Sequence, residues 1–169
     1  MSLTLYQASV PVFVKALGNL KHVLGKGKAH AAATKVDESV LLNARLFPDM
    51  RPLTFQVHVA TDMARGCAAR LAGQEPPKEA DDETTFDALI ARIDRTIDYM
   101  KGLDRGAFEQ ADSRTITRPV RGEPRTFTAV NYLEQYAMPN VYFHCTTAYN
   151  LLRHNGVALG KSDFLGQLD

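Results

Sequence analysis

The sequence predicts an all-α fold, an antiparallel four-helix bundle that also contains short extra helices and one small β-hairpin. Apolar residues recur at helical spacing along several long segments, and stretches containing proline or glycine separate those segments. Residues 113–128 differ, because they carry Thr, Ile, Val and Phe around a Gly/Pro turn, as β-hairpins do. With 169 residues, the chain is long enough for one domain with its own core, which we expect over residues 1–169.

The first third of the chain predicts two helices joined by a loop. Apolar residues follow a helical period over residues 3–23, and Pro11 inside this segment predicts a kink or a helix start. The run of glycines and lysines at residues 25–28 predicts the loop. A further helix is expected over residues 30–45, with Asp37 as its candidate N-cap.

The middle of the chain predicts two longer helices. Two prolines in residues 46–52 predict a rigid elbow, because each disfavours helix in the residue before it. Single apolar stripes predict a helix over residues 53–71 and another over residues 84–100. Prolines and acidic residues occupy positions 74–83, which are therefore expected to form a linker between these helices.

The last third predicts a short helix over residues 131–136 and then a long one. The long helix is expected to start near Pro139, because the missing N–H of proline costs nothing in the first turn. It is expected to end at Asn155-Gly156, since glycine tolerates the left-handed conformation that releases the chain. At about 100° per residue, one buried stripe of this helix contains four residues: Val141, Cys145, Ala148 and Leu152.

Composition argues against several classes of protein. The formal net charge is +1, so no strong basic character predicts binding to nucleic acid. No apolar run approaches the length of a membrane span, and Met1–Thr4 lacks the start of a signal segment. Cys67 and Cys145 fall on apolar helix faces, where a free thiol behaves as a small hydrophobe. We therefore expect a cytoplasmic protein that binds neither nucleic acid nor membranes.

Two of the five histidines, His58 and His144, are candidates for chemistry. Imidazole is the commonest metal ligand, and side chains from facing helices meet in the core of a bundle. Asn140 lies one turn before His144 on the same side of the helix. The alternative is that each histidine is an ordinary hydrogen-bonded side chain. For His58 this alternative is favoured, because His58 lies off the apolar stripe of its helix. The predicted pocket around His144 includes four further side chains: Gln56, Asp62, Thr147 and Tyr149.

The last helix resembles the end of DinB-like bundles, where a metal-binding His-x-x-x-His helix precedes Leu-Arg-x-x-Gly-Val. His144 matches the second histidine and Leu152–Val157 the motif that follows, whereas Asn140 stands where the family has its first histidine. His58 with the next two residues loosely matches the segment that supplies the third histidine. Nearly the whole chain is also similar to an uncharacterised family of this superfamily, through four signatures: residues 46–53, 56–57, 139–149 and 159–166.

The resemblance implies a DinB-like bundle of the up-down-down-up type and a metal- or thiol-dependent transferase as the candidate enzyme class. Because Asn140 replaces a histidine, a complete three-histidine site for Zn²⁺ or Ni²⁺ is not available. One hypothesis is a degenerate metal site of His58, Asn140 and His144, assisted by Gln56 or Asp62, that activates a water or a thiol. The other hypothesis, favoured by the substitution, is that the metal is lost and the pocket binds a small ligand or holds a polar network.

A structural or interaction protein is a further alternative. Helical bundles with additional apolar faces commonly dimerise, and Phe55 and Phe143 are candidates for such a face. We therefore expect a homodimer. The alternatives differ at His144: an enzyme should lose turnover in His144→Ala while staying folded, whereas a structural histidine should chiefly contribute stability.

Overall fold

The computed structural model of the protein describes residues 3–167 and is mostly helical. Four residues lie outside this described part: Met1, Ser2, Leu168 and Asp169. They are the two ends of the single domain predicted over residues 1–169, and the first two also belong to the predicted absence of a signal segment. The helices are α1 Leu5–Thr34, α2 Glu38–Leu42, α3 Leu53–Leu71, α4 Phe86–Lys101, α5 Ala129–Asn131, α6 Met138–His154 and α7 Lys161–Leu165. A hairpin of β1 Thr115–Val120 and β2 Glu123–Thr128 lies between α4 and α5.

Helix α1 runs without interruption through residues 25–28, so the predicted loop there is wrong. Glycine in a helix interior costs about 1 kcal/mol relative to alanine, but packing offsets this cost. A methyl group at Gly27 would lie 3.0 Å from Leu152 and 3.2 Å from Phe86, so α1 approaches α6 and α4 closely at this point. Pro11 lies inside α1, which starts earlier at Leu5.

The helix predicted over residues 30–45 is divided between two elements. Its first part continues α1, which ends where Lys35 adopts a left-handed conformation with φ of 56°. Asp37 then caps the short helix α2 by accepting a hydrogen bond from the backbone N–H of Ser39 at 2.8 Å. The N-cap prediction is confirmed, because that signal depends only on neighbouring residues.

Helices α3 and α4 begin and end within two residues of the predicted positions. Thr85 caps α4 by accepting a hydrogen bond from the N–H of Ala88. Gly73, just beyond the end of α3, has a φ of 74°. The expected apolar faces of both helices are buried. The buried face of α4 also contains Arg92 and Thr96, which the apolar pattern alone did not indicate.

The predicted β-hairpin is confirmed as a two-stranded antiparallel sheet. Its turn residues Arg121 and Gly122 have φ values of 54° and 87°, the positive values that a tight two-residue hairpin turn needs. Across the strands, the hydroxyls of Thr117 and Thr126 are 2.7 Å apart. Ile116 is buried and attaches the hairpin to the helical core.

The predicted short helix near residues 131–136 is present as α5 followed by a π-helical segment, Tyr132–Ala137. Helix α6 follows directly, with Pro139 in its first turn and Gly156 just beyond its end at a φ of 91°. All four residues of the predicted stripe are buried. The stop signal therefore defines the end of this helix correctly. Its start does not follow from Pro139, because the backbone is already helical at Ala137, with φ of −72° and ψ of −51°.

The core lies between four long helices: α3 packs against α6 and α4, and α1 packs against α3, α4 and α6. Fully buried side chains at these contacts include Phe13, Leu17, Leu24, Val57, Phe86, Leu89 and Ile93. Within residues 3–167, no helix combines the length and apolar character needed to cross a membrane.

Candidate functional site

The candidate site centres on the imidazole of His144, which faces Gln56 across the contact between α6 and α3. Nδ1 of His144 is 2.7 Å from Oε1 of Gln56. The amide nitrogen of Gln56 donates to the backbone carbonyl of Arg51 at 2.9 Å, so the amide oxygen is the group turned toward the ring. Nδ1 of the neutral imidazole therefore carries the proton, and Nε2 keeps a free lone pair.

The surroundings of His144 favour the uncharged ring. The side chain is half-buried, and burial lowers the pKa of His144 from its ordinary value of 6.5. Phe143 and Phe55 present their rings edge to face with the imidazole, at centroid distances of 5.2 Å and 6.4 Å. The guanidinium of Arg51 lies over the ring of Phe55, 5.1 Å from its centroid. At neutral pH the site thus offers an uncharged proton acceptor beside aromatic surfaces.

The other predicted site residues on α6 contact groups other than the imidazole of His144. The amide nitrogen of Asn140 donates to the carbonyl of Tyr136 at 2.6 Å, which leaves the amide oxygen of Asn140 available. The hydroxyl of Thr147 donates to the carbonyl of Phe143 at 2.7 Å. Tyr149 packs edge to face with Phe164 of α7, with ring centroids 6.1 Å apart.

His58 belongs to a different environment. It is two residues from Gln56, about 200° around α3, so the two side chains point to opposite sides of the helix. Nε2 of His58 is 2.9 Å from a carboxylate oxygen of Glu83, and His58 is 7% exposed. Asp62, also on this side, accepts from Arg92 at 2.8 Å. The structure therefore pairs His144 with Gln56 and His58 with an acidic segment.

These contacts determine whether the residues at the site fit a metal ion. Among the described residues, no three His, Cys, Asp or Glu side chains are grouped so that they could hold a metal ion. Around His144 the remaining donors are amide oxygens, which are poorer ligands than imidazole for Zn²⁺ or Ni²⁺. The donor set at His144 does not fit a zinc or nickel centre of three imidazoles.

The predicted linker, residues 74–83, has no regular structure, but it closes over α3 and α4 through an ionic cluster. Arg92 is fully buried and donates to the hydroxyl of Thr61 at 2.8 Å and to the carbonyl of Ala80 at 2.7 Å. The members of the cluster are the imidazole of His58 and the charged side chains of Asp62, Arg65, Glu79, Asp81, Glu83, Arg92 and Arg95. Sequence reasoning missed it, although an arginine inside the apolar stripe of α4 is a signal when an acidic run precedes the helix.

A cavity of about 440 Å³ lies beside α3. Of the predicted pocket residues, only Asp62 lines it, and His144 is not part of its lining. The cavity also borders Arg65, Arg70 and Arg118. This cavity thus lies apart from the imidazole that the sequence singles out.

Neither cysteine is an activated nucleophile. Burial raises the pKa of the Cys145 thiol to about 12, and burial raises that of Cys67 further still. Both thiols are free and buried. Because the thiolate is the reactive form, these side chains act as small apolar groups of the core at neutral pH.

Comparisons with known proteins agree with this architecture. A family described as "Domain of unknown function (DUF1993)" matches residues 5–165. The chain is similar to a DinB family member protein from Shewanella denitrificans known from a crystal structure, with 42% identity and a TM-score of 0.91. The similarity covers 97% of this chain and 93% of that one. No curated protein matches the chain.

Proposed function

Because this chain belongs to the DUF1993 family of DinB-like domains of unknown function, we propose that it binds a small ligand at His144 and uses the neutral imidazole as proton acceptor, without a bound metal. One observation carries the proposal: the 2.7 Å contact between Nδ1 of His144 and an amide oxygen of Gln56 that is itself oriented by Arg51. A histidine with a fixed tautomer and a free Nε2 is the usual form of a general base.

As an enzyme, the protein would be a thiol-dependent transferase. Nε2 of His144 takes the proton as the S–H bond of a thiol cosubstrate breaks. The thiolate that remains forms a bond to the acceptor as the bond between the acceptor and its leaving group breaks. The proton then passes from His144 to the leaving group. The thiol must come from a cosubstrate, because burial keeps Cys67 and Cys145 protonated. As a non-catalytic protein, the same site would bind its ligand through an O–H or S–H hydrogen bond to Nε2.

Chemical modification tests the state of His144 directly. Diethyl pyrocarbonate acylates unprotonated imidazole nitrogen, and peptide mass spectrometry assigns the modified residue. We expect half-maximal reaction of His144 at a pH below its ordinary value of 6.5, and an altered profile in Gln56→Leu. The exposed His154 near the end of the same helix is the internal control. A profile of His144 that is centred at or above 6.5 and unchanged in Gln56→Leu would contradict the proposal.

The competing proposal is a degenerate metal site of His58, Asn140 and His144. We expect elemental analysis to find no stoichiometric metal after dialysis against Zn²⁺, Ni²⁺ or Mn²⁺, because His58 and His144 make separate contacts. About one metal per chain, lost in His144→Ala, would replace the metal-free proposal with this one.

We also propose that α1, α3, α4 and α6 form an antiparallel up-down-down-up bundle and that the protein is a cytoplasmic homodimer. Mutual packing of these four helices supports the bundle.

Exposed apolar side chains on α6, Tyr142 at 40% and Phe143 at 57%, support a dimer face. Free buried thiols suit a reducing compartment such as the cytoplasm. Sedimentation velocity should show a dimer that Phe143→Asp dissociates; a monomeric wild-type protein would refute the dimer.

A further inference from the structure

An arginine-lined cavity lies beside α3 and is bordered by residues 75–79 and by Arg118 of the hairpin strand β1. Its volume is about 440 Å³, within the range of small-molecule sites. One part of its wall is apolar and is formed by Val59, Met63, Pro76 and Pro77. Another part carries three guanidinium groups, those of Arg65, Arg70 and Arg118. The lining also includes Lys78 and the carboxylates of Asp62, Glu75 and Glu79, so the cavity combines an apolar surface with a mixed set of charges in which cations outnumber anions by four to three.

Two of these guanidinium groups converge on one phenol. Nη1 of Arg70 is 3.4 Å from the hydroxyl oxygen of Tyr132, and Nη1 of Arg118 is 3.3 Å from it. Tyr132 is fully buried, so its position is fixed by the core. The guanidinium of Arg118 also lies over the ring of Tyr136, 5.5 Å from its centroid. The two cations are thus held at the cavity by an uncharged group and an aromatic face.

Two of the three guanidinium groups lack a direct carboxylate partner. Within residues 3–167, Arg70 and Arg118 take part in no salt bridge, whereas Arg65 pairs with Asp62 and Glu79. Two neighbouring arginines without a direct carboxylate partner repel each other and attract an anion.

The cavity wall also contains hydrogen-bond donors without acceptors. Nε of Arg118 and Nε of Arg65 are buried and have no hydrogen-bond partner among the described residues. Arg65 is itself only 6% exposed. A buried N–H without a partner is unfavourable, and a ligand oxygen that reaches it removes the cost. Cations without a direct ion pair and N–H donors without an acceptor therefore both occur among the residues that line this cavity.

We propose that this cavity binds a small organic anion, with a carboxylate or phosphate head at Arg70 and Arg118 and an apolar body against Met63 and Pro76. The planar guanidinium group presents parallel N–H donors that match the oxygens of either head group. This site is distinct from His144 and does not depend on the function proposed there.

Gly66 gives an independent way to disturb the site. Nη1 of Arg70 donates to the carbonyl of Gly66 at 2.9 Å, so the guanidinium lies flat over this glycine. A methyl group at Gly66 would lie 2.6 Å from Nη1 of Arg70. Gly66→Ala therefore displaces the guanidinium without removing its charge, while alanine suits the helix better than glycine does.

The test is isothermal titration with benzoate, phenyl phosphate, inorganic phosphate and the uncharged benzamide. We expect one of the two aromatic anions to bind, benzamide not to bind, and inorganic phosphate to bind more weakly than phenyl phosphate. Arg70→Gln, Arg118→Gln and Gly66→Ala should each weaken binding by about tenfold or more. Arg153→Gln, which removes an exposed arginine of α6, is the matched control and should bind as the wild type does.

Each remaining outcome bears on the proposal. No binding of either aromatic anion at millimolar concentration would overturn it, and so would equal affinity in wild type, Arg70→Gln and Arg118→Gln. Equal affinity for phenyl phosphate and inorganic phosphate would refute the part assigned to the apolar wall. Circular dichroism of each variant shows whether it is folded; should Arg118→Gln unfold, Gly66→Ala, which keeps all charges, decides the question.

Discussion

The buried guanidinium of Arg92 should be among the most sensitive positions for stability. Arg92 is fully buried and lies between α3, α4 and the irregular segment of residues 74–83. Its five N–H donors contact a hydroxyl, a backbone carbonyl and three carboxylates, those of Asp62, Asp81 and Glu83. Its removal leaves Glu83, whose side chain is 6% exposed, buried without that cation.

We expect Arg92→Ala to lower the free energy of unfolding by about 3–5 kcal/mol, because truncating one partner leaves a buried charge uncompensated. For a domain of this size the melting temperature falls by roughly 10 °C. Urea unfolding followed by circular dichroism at neutral pH measures the change. Arg95→Ala, on the same helix, is the matched control. The side chain of Arg95 is 55% exposed; it bonds Glu79 of the irregular segment at 2.6 Å and lies 3.4 Å from Glu83, so its loss should cost about 1 kcal/mol or less.

Two results would refute this reasoning. Equal losses in Arg92→Ala and Arg95→Ala would mean that burial does not determine the energy of these ion pairs. Full stability of Arg92→Met would mean that the side chain contributes volume only, since methionine fills much of the space without charge. We expect Arg92→Met to remain strongly destabilised.

The same cluster predicts a loss of stability in acid. Burial raises the pKa of Glu79, but hydrogen bonds from Arg95 and Arg65 outweigh it, and the net pKa lies below the ordinary value of 4.5. The folded state then binds fewer protons than the unfolded one, so this stabilisation is present above pH 4.5 and is lost as pH falls through the lowered pKa. Glu79→Gln should flatten the pH profile of unfolding in that range. An unchanged slope would contradict this assignment.

Three further predictions concern the core and the imidazole. Because burial lowers the pKa of His144, stability should fall as pH drops below about 6.5, and urea titrations of His144→Gln should lose this slope. Cys67 and Cys145 should not react with a thiol reagent in the native protein and should both react in urea; rapid native labelling would contradict their burial. Gly25→Ala should stabilise α1 by about 0.5–1 kcal/mol, since a methyl group there meets no atom within 4 Å, whereas Gly27→Val should cost about 1–3 kcal/mol by overpacking. Equal effects at the two glycines, measured by thermal unfolding, would contradict the packing argument.

The parts of the fold that sequence reasoning predicted correctly are those that depend on neighbouring residues. Helices α3, α4 and α6 follow from one apolar stripe each, and their ends follow from Thr85, Gly73 and Gly156. The hairpin follows from β-forming residues on either side of Arg121-Gly122. The predicted loop within the first helix was wrong. Glycine locally disfavours a helix, but Gly27 packs against Leu152, more than a hundred positions away, and this packing keeps α1 continuous.

By itself, therefore, the sequence determined the helical segments, the hairpin, the buried stripe of α6 and the placement of His144 at the edge of that stripe. Only the tertiary structure decided the partners of the polar side chains. Gln56 reaches His144 across 88 positions of the chain, and Arg70 meets Tyr132 across 62. Helical periodicity depends on neighbours within a turn or two, whereas a buried polar group takes whichever partner the packing of distant helices brings within hydrogen-bond distance. The fixed tautomer of His144, the buried Arg92 cluster and the arginine-lined cavity all arise from such distant pairings.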